Sequence, residues 1–164
     1  MEHSEQKVAV MGFGNPVRSD DAVGVYVLKE LQQKEDRFPH VTFFDMGTGA
    51  FEVLFKLQGH SRIVIIDAVL NSGEPDGTLF KLPATEIDAA IQEDPLVFLH
   101  SIKWDQGLSY ARKIMGENFP DDITVYLIAI SNTRLEIDMS EAVQQAGDRL
   151  VNILDKDLKE AERV

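Results

Sequence analysis

The 164-residue sequence contains no cysteine. A chain without thiols forms no disulfide, no thiolate zinc site and no iron–sulfur cluster, and it cannot use a cysteine nucleophile. Any metal ion must therefore be bound by carboxylate, imidazole or backbone oxygen. This restricts the ligand chemistry before any motif is considered.

Long apolar runs and basic residues are also scarce. The longest apolar stretches have five or six residues, whereas a membrane-spanning helix needs about 20. The first seven residues lack the basic and apolar regions of a secretory signal. Sixteen Lys and Arg against 28 Asp and Glu give a net charge of −12, which opposes binding to nucleic acid or anionic lipid. We therefore expect a cytoplasmic protein that binds neither nucleic acid nor membrane.

The remaining composition is that of a globular protein, with 44% hydrophobic and 27% charged residues. The length suits one domain, and no repeat, low-complexity segment or linker interrupts the chain. We predict a single α/β domain over residues 1–164. Residues 1–6 and those from about 156 to 164 are expected to be loose termini.

Patterns typical of strands and helices alternate along the chain. The sequence predicts strands at 7–11, 41–45, 62–67, 77–82 and 123–130, and helices at about 19–34, 50–57, 101–116 and 139–154. The alternation predicts a three-layer α/β/α sandwich with a mainly parallel twisted sheet. Ligands of such sheets bind at the carboxyl ends of strands, near a topological switch point.

The turn Gly-Phe-Gly-Asn at 12–15 follows the first strand and has three interpretations. Its glycines resemble a dinucleotide-binding turn, but Val17 stands in place of the third glycine and two carboxylates follow at Asp20 and Asp21. It could instead be a tight strand-to-helix turn, with Asp20 as the helix cap. In the third interpretation the acidic pair faces a cation.

Further polar residues follow predicted strands. Asp67 comes after the apolar run 63–66, Asp45 after the second strand, and His100 after the apolar run 95–99. Each has a structural alternative: Asp67 bonded to loop amides, Asp45 forming a turn, and His100 capping or packing a helix. Together with Asp21, however, Asp67 and His100 make a ligand set that suits zinc or nickel and leaves coordination positions open.

Several segments together resemble the hydrogenase maturation endopeptidase family in order and spacing. They are Gly-Phe-Gly-Asn at 12–15, Ser-Asp-Asp-Ala-Val-Gly at 19–24, Asp-Met-Gly-Thr-Gly at 45–49, Ile-Ile-Asp-Ala at 65–68 and the segment at His100. The resemblance extends from residue 7 to about 154. It implies a cytoplasmic peptidase that removes the C-terminal extension from the nickel-loaded precursor of a nickel–iron hydrogenase large subunit.

The resemblance also implies roles for particular residues. Asp21, Asp67 and His100 would bind the metal and act in catalysis, the metal being nickel supplied by the substrate, with no organic cofactor. A substrate-recognition segment would contain Asp45, Gly47, Thr48 and Gly49. Ser-Asn-Thr-Arg-Leu-Glu at 131–136 departs from the acidic-proline pattern of many relatives.

Two other functions stay open from the sequence. A noncatalytic checkpoint protein that binds the metal-loaded precursor would need the same three ligands, so the residues barely separate it from a peptidase. A nucleotide-dependent enzyme is the third alternative. Neither His-Glu-x-x-His nor Gly-x-Ser-x-Gly occurs in the chain, so two common hydrolase motifs are absent.

Overall fold

The computed structural model describes residues 6–49, 52–83, 85 and 104–161. Its strands are β1 (Val8–Phe13), β2 (Val41–Gly47), β3 (Arg62–Leu70), β4 (Leu79–Pro83) and β5 (Asp122–Ile130). Its α-helices are α1 (Val23–Gln32), α2 (Val53–Lys56), α3 (Trp104–Met115) and α4 (Glu141–Ala161). Short 3-10 turns lie at Ser19–Ala22, Glu35–Arg37 and Gly116–Asn118.

The five strands form one sheet in the order β2-β1-β3-β5-β4. Four of them are parallel, and β4 pairs antiparallel with β5 at one edge. One apolar cluster joins the sheet to α1 and α4, and a second joins the opposite face to α3. The sandwich with a mainly parallel sheet is therefore confirmed, and β4 is the edge strand that the sequence predicts.

The connections place a topological switch point beside β1. The chain leaves β1 for β2 on one side and then returns to add β3 on the other side. In sheets of this kind, the crevice for a ligand opens at the carboxyl ends of the two strands where the direction reverses. Here those strands are β1 and β3.

Several predicted boundaries were wrong. The helix expected from residue 19 begins as a 3-10 turn and becomes α-helical only at Val23. The helix expected over 50–57 is the single turn α2. The tail expected to be loose from about 156 belongs to α4, which runs to Ala161 and fully buries Leu158. Burial of an apolar side chain therefore extends the ordered helix beyond what its charged sequence suggests.

Leu158→Ala tests whether this end of α4 is part of the core. Leu158 is fully buried among the side chains of the α1 and α4 face, so truncation leaves a cavity and should lower the free energy of unfolding by about 3 kcal/mol. Urea denaturation of the variant measures the change. The exposed neighbour substitution Lys156→Ala should change it by less than about 0.5 kcal/mol. Equal values for the two variants would show that the tail adds nothing to stability.

Helix α4 also makes a polar contact with α1. The hydroxyl of Tyr26 donates a hydrogen bond to the carboxylate of Asp148 at 2.5 Å. This bond raises the pKa of Tyr26 to about 12, because it holds the proton on the phenol; burial of the ring and the negative charge of Asp148 act in the same direction.

Within the described ranges, no helix is both long enough and apolar enough to cross a membrane.

Candidate functional site

The first turn of α1 lies directly on the carboxyl ends of β1 and β3 because Gly24 has no side chain. A Cβ atom placed on Gly24 would lie 2.2 Å from the carbonyl oxygen of Phe13, 2.7 Å from that of Ile66 and 3.2 Å from Cα of Asp67. Gly12 is the matching glycine on β1, since its Cβ would lie 2.7 Å from the carbonyl oxygen of Gly24. This approach brings the 3-10 turn at Ser19–Ala22 to the switch point.

Asp67 lies inside β3 and not at its end, which corrects the sequence-based placement. The strand continues to Leu70 alongside β5, but the pairing with β1 stops at Ile66. Asp67 is therefore the first residue of β3 beyond the ladder with β1. Its side chain is only 7% exposed and accepts a hydrogen bond from the amide of Ala68 at 2.8 Å. A carboxylate buried to this degree is costly to ionise without compensating partners.

The alternation of side chains along β3 indicates which face of the sheet Asp67 lies on. Ile65 and Val69, two residues to either side, pack in the cluster that contains Leu108 and Ala111 of α3. Side chains two residues apart on a strand share a face. Asp67 therefore lies on the α3 face of the sheet, at its carboxyl edge.

Asp21 is held against the turn that follows β1. Its Oδ2 accepts a hydrogen bond from the amide of Asn15 at 3.2 Å, and its side chain remains partly exposed. The backbone of Gly14 lies so close that a Cβ there would be 2.2 Å from the carbonyl oxygen of Asp21. A backbone amide that a nucleotide phosphate would need at this turn is thus already bonded to an anionic side chain. This argues against the dinucleotide interpretation.

Asp20 has a different role from its neighbour. It is fully buried, and its carboxylate accepts hydrogen bonds from the amide of Ser140 at 2.7 Å and from its hydroxyl at 3.0 Å. The 3-10 turn has no side-chain cap, so the expectation that Asp20 caps its own helix was wrong. Its carboxylate instead joins this turn to Ser140, the residue just before α4.

Asp20→Ala should therefore act on stability and not on chemistry. Removing the buried carboxylate leaves the partly buried amide of Ser140 without its partner, which should lower the free energy of unfolding by about 2 kcal/mol. Thermal or urea denaturation measures this loss. Per folded molecule, the rate of substrate turnover should stay within about threefold of wild type. A large loss of turnover at unchanged stability would instead place Asp20 in the chemistry.

Ser19 completes the attachment of this turn. Its backbone φ is +49°, a conformation that serine seldom adopts. The amide of Ser19 donates to the carbonyl of Glu136 at 2.8 Å, and its hydroxyl donates to the carbonyl of Asp138 at 2.8 Å. These bonds hold the strained residue in place, so Asp21 is presented from a fixed backbone.

The segment Asp45–Gly49 lies next to this turn but is not wholly a loop. Strand β2 runs through Gly47, and its register against β1 shifts so that Asp45 faces Gly12 while Gly47 faces Phe13. The sequence-based end of β2 at residue 45 was therefore wrong by two residues. Met46 is the extra residue of the bulge, and its side chain is buried.

Apart from Met46, the residues of this segment are exposed or partly exposed. Asp45 is exposed and accepts a hydrogen bond from the amide of Gly47 at 3.1 Å, so the turn-forming role is present. The carbonyl of Gly47 accepts from the amide of Gly14 at 2.9 Å, which joins this segment to the turn that holds Asp21. A Cβ on Gly47 would touch nothing within 4 Å, and Thr48 is exposed. The predicted substrate-binding role of Asp45, Gly47, Thr48 and Gly49 stays a prediction.

His100 lies outside the described residues, so its predicted place beside Asp21 and Asp67 stays a prediction. Within residues 6–49, 52–83, 85 and 104–161, no three His, Asp or Glu side chains form a group that could hold a metal ion. The two described carboxylates are hard oxygen donors, which suit a divalent cation that gains a further ligand elsewhere. The described chain resumes at Trp104 in α3, the helix on the same face of the sheet as Asp67.

Sequence reasoning missed the part of this edge that follows β5. Asn132 donates a hydrogen bond from its side-chain amide to the hydroxyl of Ser19 at 3.1 Å, and Ser140 binds Asp20. One signal was available: β5 is parallel to β3, so the residues after Ile130 must emerge at the same edge as Asp67. The strand-end rule that selected Asp67 and Asp45 applies equally there.

A family model described as hydrogenase maturation protease (HycI) matches residues 25–156, which is most of the chain. Hydrogenase 2 maturation protease of Escherichia coli strain K12 is 25% identical over 138 residues, covering 84% of this chain and 82% of that protein.

Among solved structures, the hydrogenase maturating endopeptidase HybD from E. coli aligns with a TM-score of 0.79 at 22% identity, over 95% of this chain and 94% of that one. The [NiFe] hydrogenase maturation protease HybD from Thermococcus kodakarensis aligns with a TM-score of 0.76 at 22% identity, over 94% of this chain and 100% of that one. These alignments confirm the fold.

Proposed function

The chain belongs to the hydrogenase maturation protease family, peptidases that process the C-terminus of the hydrogenase large subunit, and from this premise we propose that its substrate is the nickel-loaded precursor of a nickel–iron hydrogenase. The observation that carries the proposal is the placement of Asp21 and Asp67 at one switch point. Membership in a family of peptidases does not favour the noncatalytic checkpoint alternative.

In this proposal, the nickel ion arrives with the precursor and is part of the substrate. Asp21 offers a partly exposed carboxylate from the rigid 3-10 turn, and Asp67 offers a nearly buried one from β3. His100, as the sequence predicts, would supply an imidazole from the segment before α3. Two carboxylates and one imidazole suit nickel and leave positions for the ligands of the precursor itself.

Anchoring the precursor through its metal would position the peptide bond to be cut. A bound metal that the enzyme touches holds the nearby chain in one orientation, and this lowers the entropic part of the barrier to cleavage. The exposed segment at Asp45–Gly49, bonded to the same turn through Gly14, would then contact the backbone of the precursor. We propose that this processing takes place in the cytoplasm.

Mass spectrometry of the precursor tests the proposal. The purified protein is incubated with a nickel–iron hydrogenase large-subunit precursor, once with nickel inserted and once without. We expect a fixed loss of mass at the C-terminus of the loaded precursor only. An unchanged mass of the loaded precursor, with complex formation retained, would favour the checkpoint alternative. Equal cleavage of both forms would exclude nickel as the recognised feature.

Elemental analysis of the protein alone is a second measurement. If nickel arrives with the substrate, the purified protein should contain well under one equivalent of tightly bound metal. Stoichiometric zinc that survives dialysis against a chelator would contradict the proposal. Antibody detection after cell fractionation would test the cytoplasmic placement.

A further inference from the structure

A polar cleft opens just after β5, at the same edge of the sheet as the candidate site. Its volume is about 440 Å³, and Ser131, Asn132, Thr133 and Arg134 line it. Strand β5 pairs with β3 from Arg62 to Leu70, so its last residue, Ile130, emerges next to the strand that carries Asp67. None of these four described residues has a part in the function proposed above.

Hydrogen bonds give this cleft a fixed shape. The hydroxyl of Ser131 donates to Oδ2 of Asp76 at 2.7 Å, and the side-chain amide of Asn132 donates to the hydroxyl of Ser19 at 3.1 Å. The side-chain carbonyl of Asn132 accepts from the amide of Arg134 at 3.0 Å. Ser19 belongs to the same 3-10 turn as Asp21. The cleft is therefore hydrogen-bonded to the turn that positions the candidate site.

Arg134 is the charged residue among these four. The side chain is exposed, and among the described residues its guanidinium has neither an ion-pair nor a hydrogen-bond partner; only its backbone is bonded. Two other arginines of this acidic chain do form ion pairs: Arg37 with Asp155 at 3.3 Å, and Arg62 with Asp157. A guanidinium presents a planar fork of donors that matches a carboxylate. Arg134 is therefore placed to bind an anion from outside the chain.

The surface continues from Arg134 as an apolar rim. Leu135 is 74% exposed, Ile137 81% and Val17 52%. A backbone bridge between Arg18 and Glu136 brings the segment of Val17 beside that of Leu135. Exposed aliphatic side chains beside a polar cleft and a functional site indicate contact with another chain. The rim and the cleft together suit a peptide that has both apolar side chains and a carboxylate.

We propose that this surface binds the C-terminal extension of the precursor and that Arg134 determines specificity by pairing with a carboxylate there. The inference rests on the proposed function, since it adds a subsite to the same reaction. A surplus of twelve negative charges on the enzyme would otherwise repel an acidic extension. Arg134 offsets that repulsion at one point and so selects where the acidic group is placed.

Kinetics with the loaded precursor test the role of Arg134. Arg134→Gln should raise KM about tenfold and leave kcat within about twofold, because a charge-assisted hydrogen bond to the substrate is lost while the reacting groups are untouched. Lys29→Gln is the matched control: it removes the same charge from an exposed position in the last turn of α1, and its KM should match wild type. Added salt should raise KM for wild type more than for Arg134→Gln.

Precursor variants distinguish the two sources of the carboxylate. Neutralising acidic side chains of the extension should raise the wild-type KM about tenfold if a side chain is bound. Converting the C-terminal carboxylate to an amide should do so if the terminus is bound. Whichever of these two changes raises the wild-type KM should not raise the KM of Arg134→Gln any further. If an acidic side chain is bound, replacing it with lysine should restore binding to Arg134→Glu.

A binding measurement separates this inference from the proposed function. A fluorescent peptide with the sequence of the extension is titrated with each protein, and its anisotropy gives a dissociation constant without cleavage. We expect the constant for Arg134→Gln to be about tenfold above wild type. Equal constants, or no binding to wild type, overturn the role of Arg134. Failure of wild type to cleave the loaded precursor, with the peptide still bound in an Arg134-dependent manner, overturns only the proposed function.

Discussion

Asp67→Asn is expected to lower the rate of precursor processing by about a hundredfold or more while the protein stays folded. Mutation of a residue that only hydrogen-bonds to a metal ligand already lowers metal affinity or activity by about 10–100-fold. Asp67 is proposed as a direct ligand, so its effect should be larger. Asparagine has the same shape, and its side-chain oxygen can still accept the hydrogen bond from the amide of Ala68. The lower processing rate should therefore result from the missing negative charge and not from a disrupted strand.

Single-turnover mass spectrometry of the nickel-loaded precursor measures this effect. Asp36→Asn is the matched control, because Asp36 is an exposed carboxylate in the turn at Glu35–Arg37, before β2 and at the opposite edge of the sheet. It removes the same charge and should leave the rate unchanged. Processing by Asp67→Asn at the wild-type rate would remove Asp67 from the site. Circular dichroism should show the same folded content for all three proteins.

Gly24→Ala should have the largest effect on stability, lowering the free energy of unfolding by more than about 4 kcal/mol. Overpacking a tight core usually costs about 1–3 kcal/mol, but here the added methyl group would meet backbone atoms of two strands. The carbonyl oxygens of Phe13 and Ile66 would lie 2.2 and 2.7 Å from it. Since neither can move as a side chain does, α1 would have to shift away from the sheet.

Urea denaturation followed by circular dichroism measures this loss. Gly49→Ala is the control, because a Cβ there would come no closer than 3.4 Å to its nearest neighbour, the carbonyl oxygen of Met46. It should change the stability by less than about 1 kcal/mol. A loss at Gly24 no larger than that at Gly49 would show that the contact between α1 and the two strands is looser than described.

Prediction from sequence succeeded best where one pattern of residue types continues through a whole segment. The apolar run before Asp67 is typical of a strand covered on both faces, and β3 is such a strand, with its residues 63–69 all buried. The same pattern did not show where β3 ends, because that end depends on β5. Pairing with β5 continues to Leu70 after β1 has stopped. Asp67 was therefore assigned to the correct edge and the wrong position within its strand.

Sequence reasoning likewise found one part of the candidate site and missed another. Strand-end placement selected Asp21, Asp67 and Asp45 at one edge of the sheet, and the structure has all three there. The rule could have reached the cleft after β5 as well, but Ser131–Arg134 match no motif, and the charge of Arg134 becomes informative only when its lack of a partner among the described residues is known. His100 remains a prediction from order along the chain.

The sequence by itself determined the chemistry that is available and the class of fold. The absence of cysteine leaves oxygen and imidazole as metal ligands, and the alternating patterns require helices packed on a mainly parallel sheet, because both follow from residue types and local periods. Only the tertiary structure decided the roles of the two adjacent acids. Asp20 bonds Ser140, 120 residues away, whereas Asp21 bonds Asn15 and stays partly exposed. No local pattern distinguishes them, since the partner of a buried carboxylate depends on which distant segment the fold brings against it.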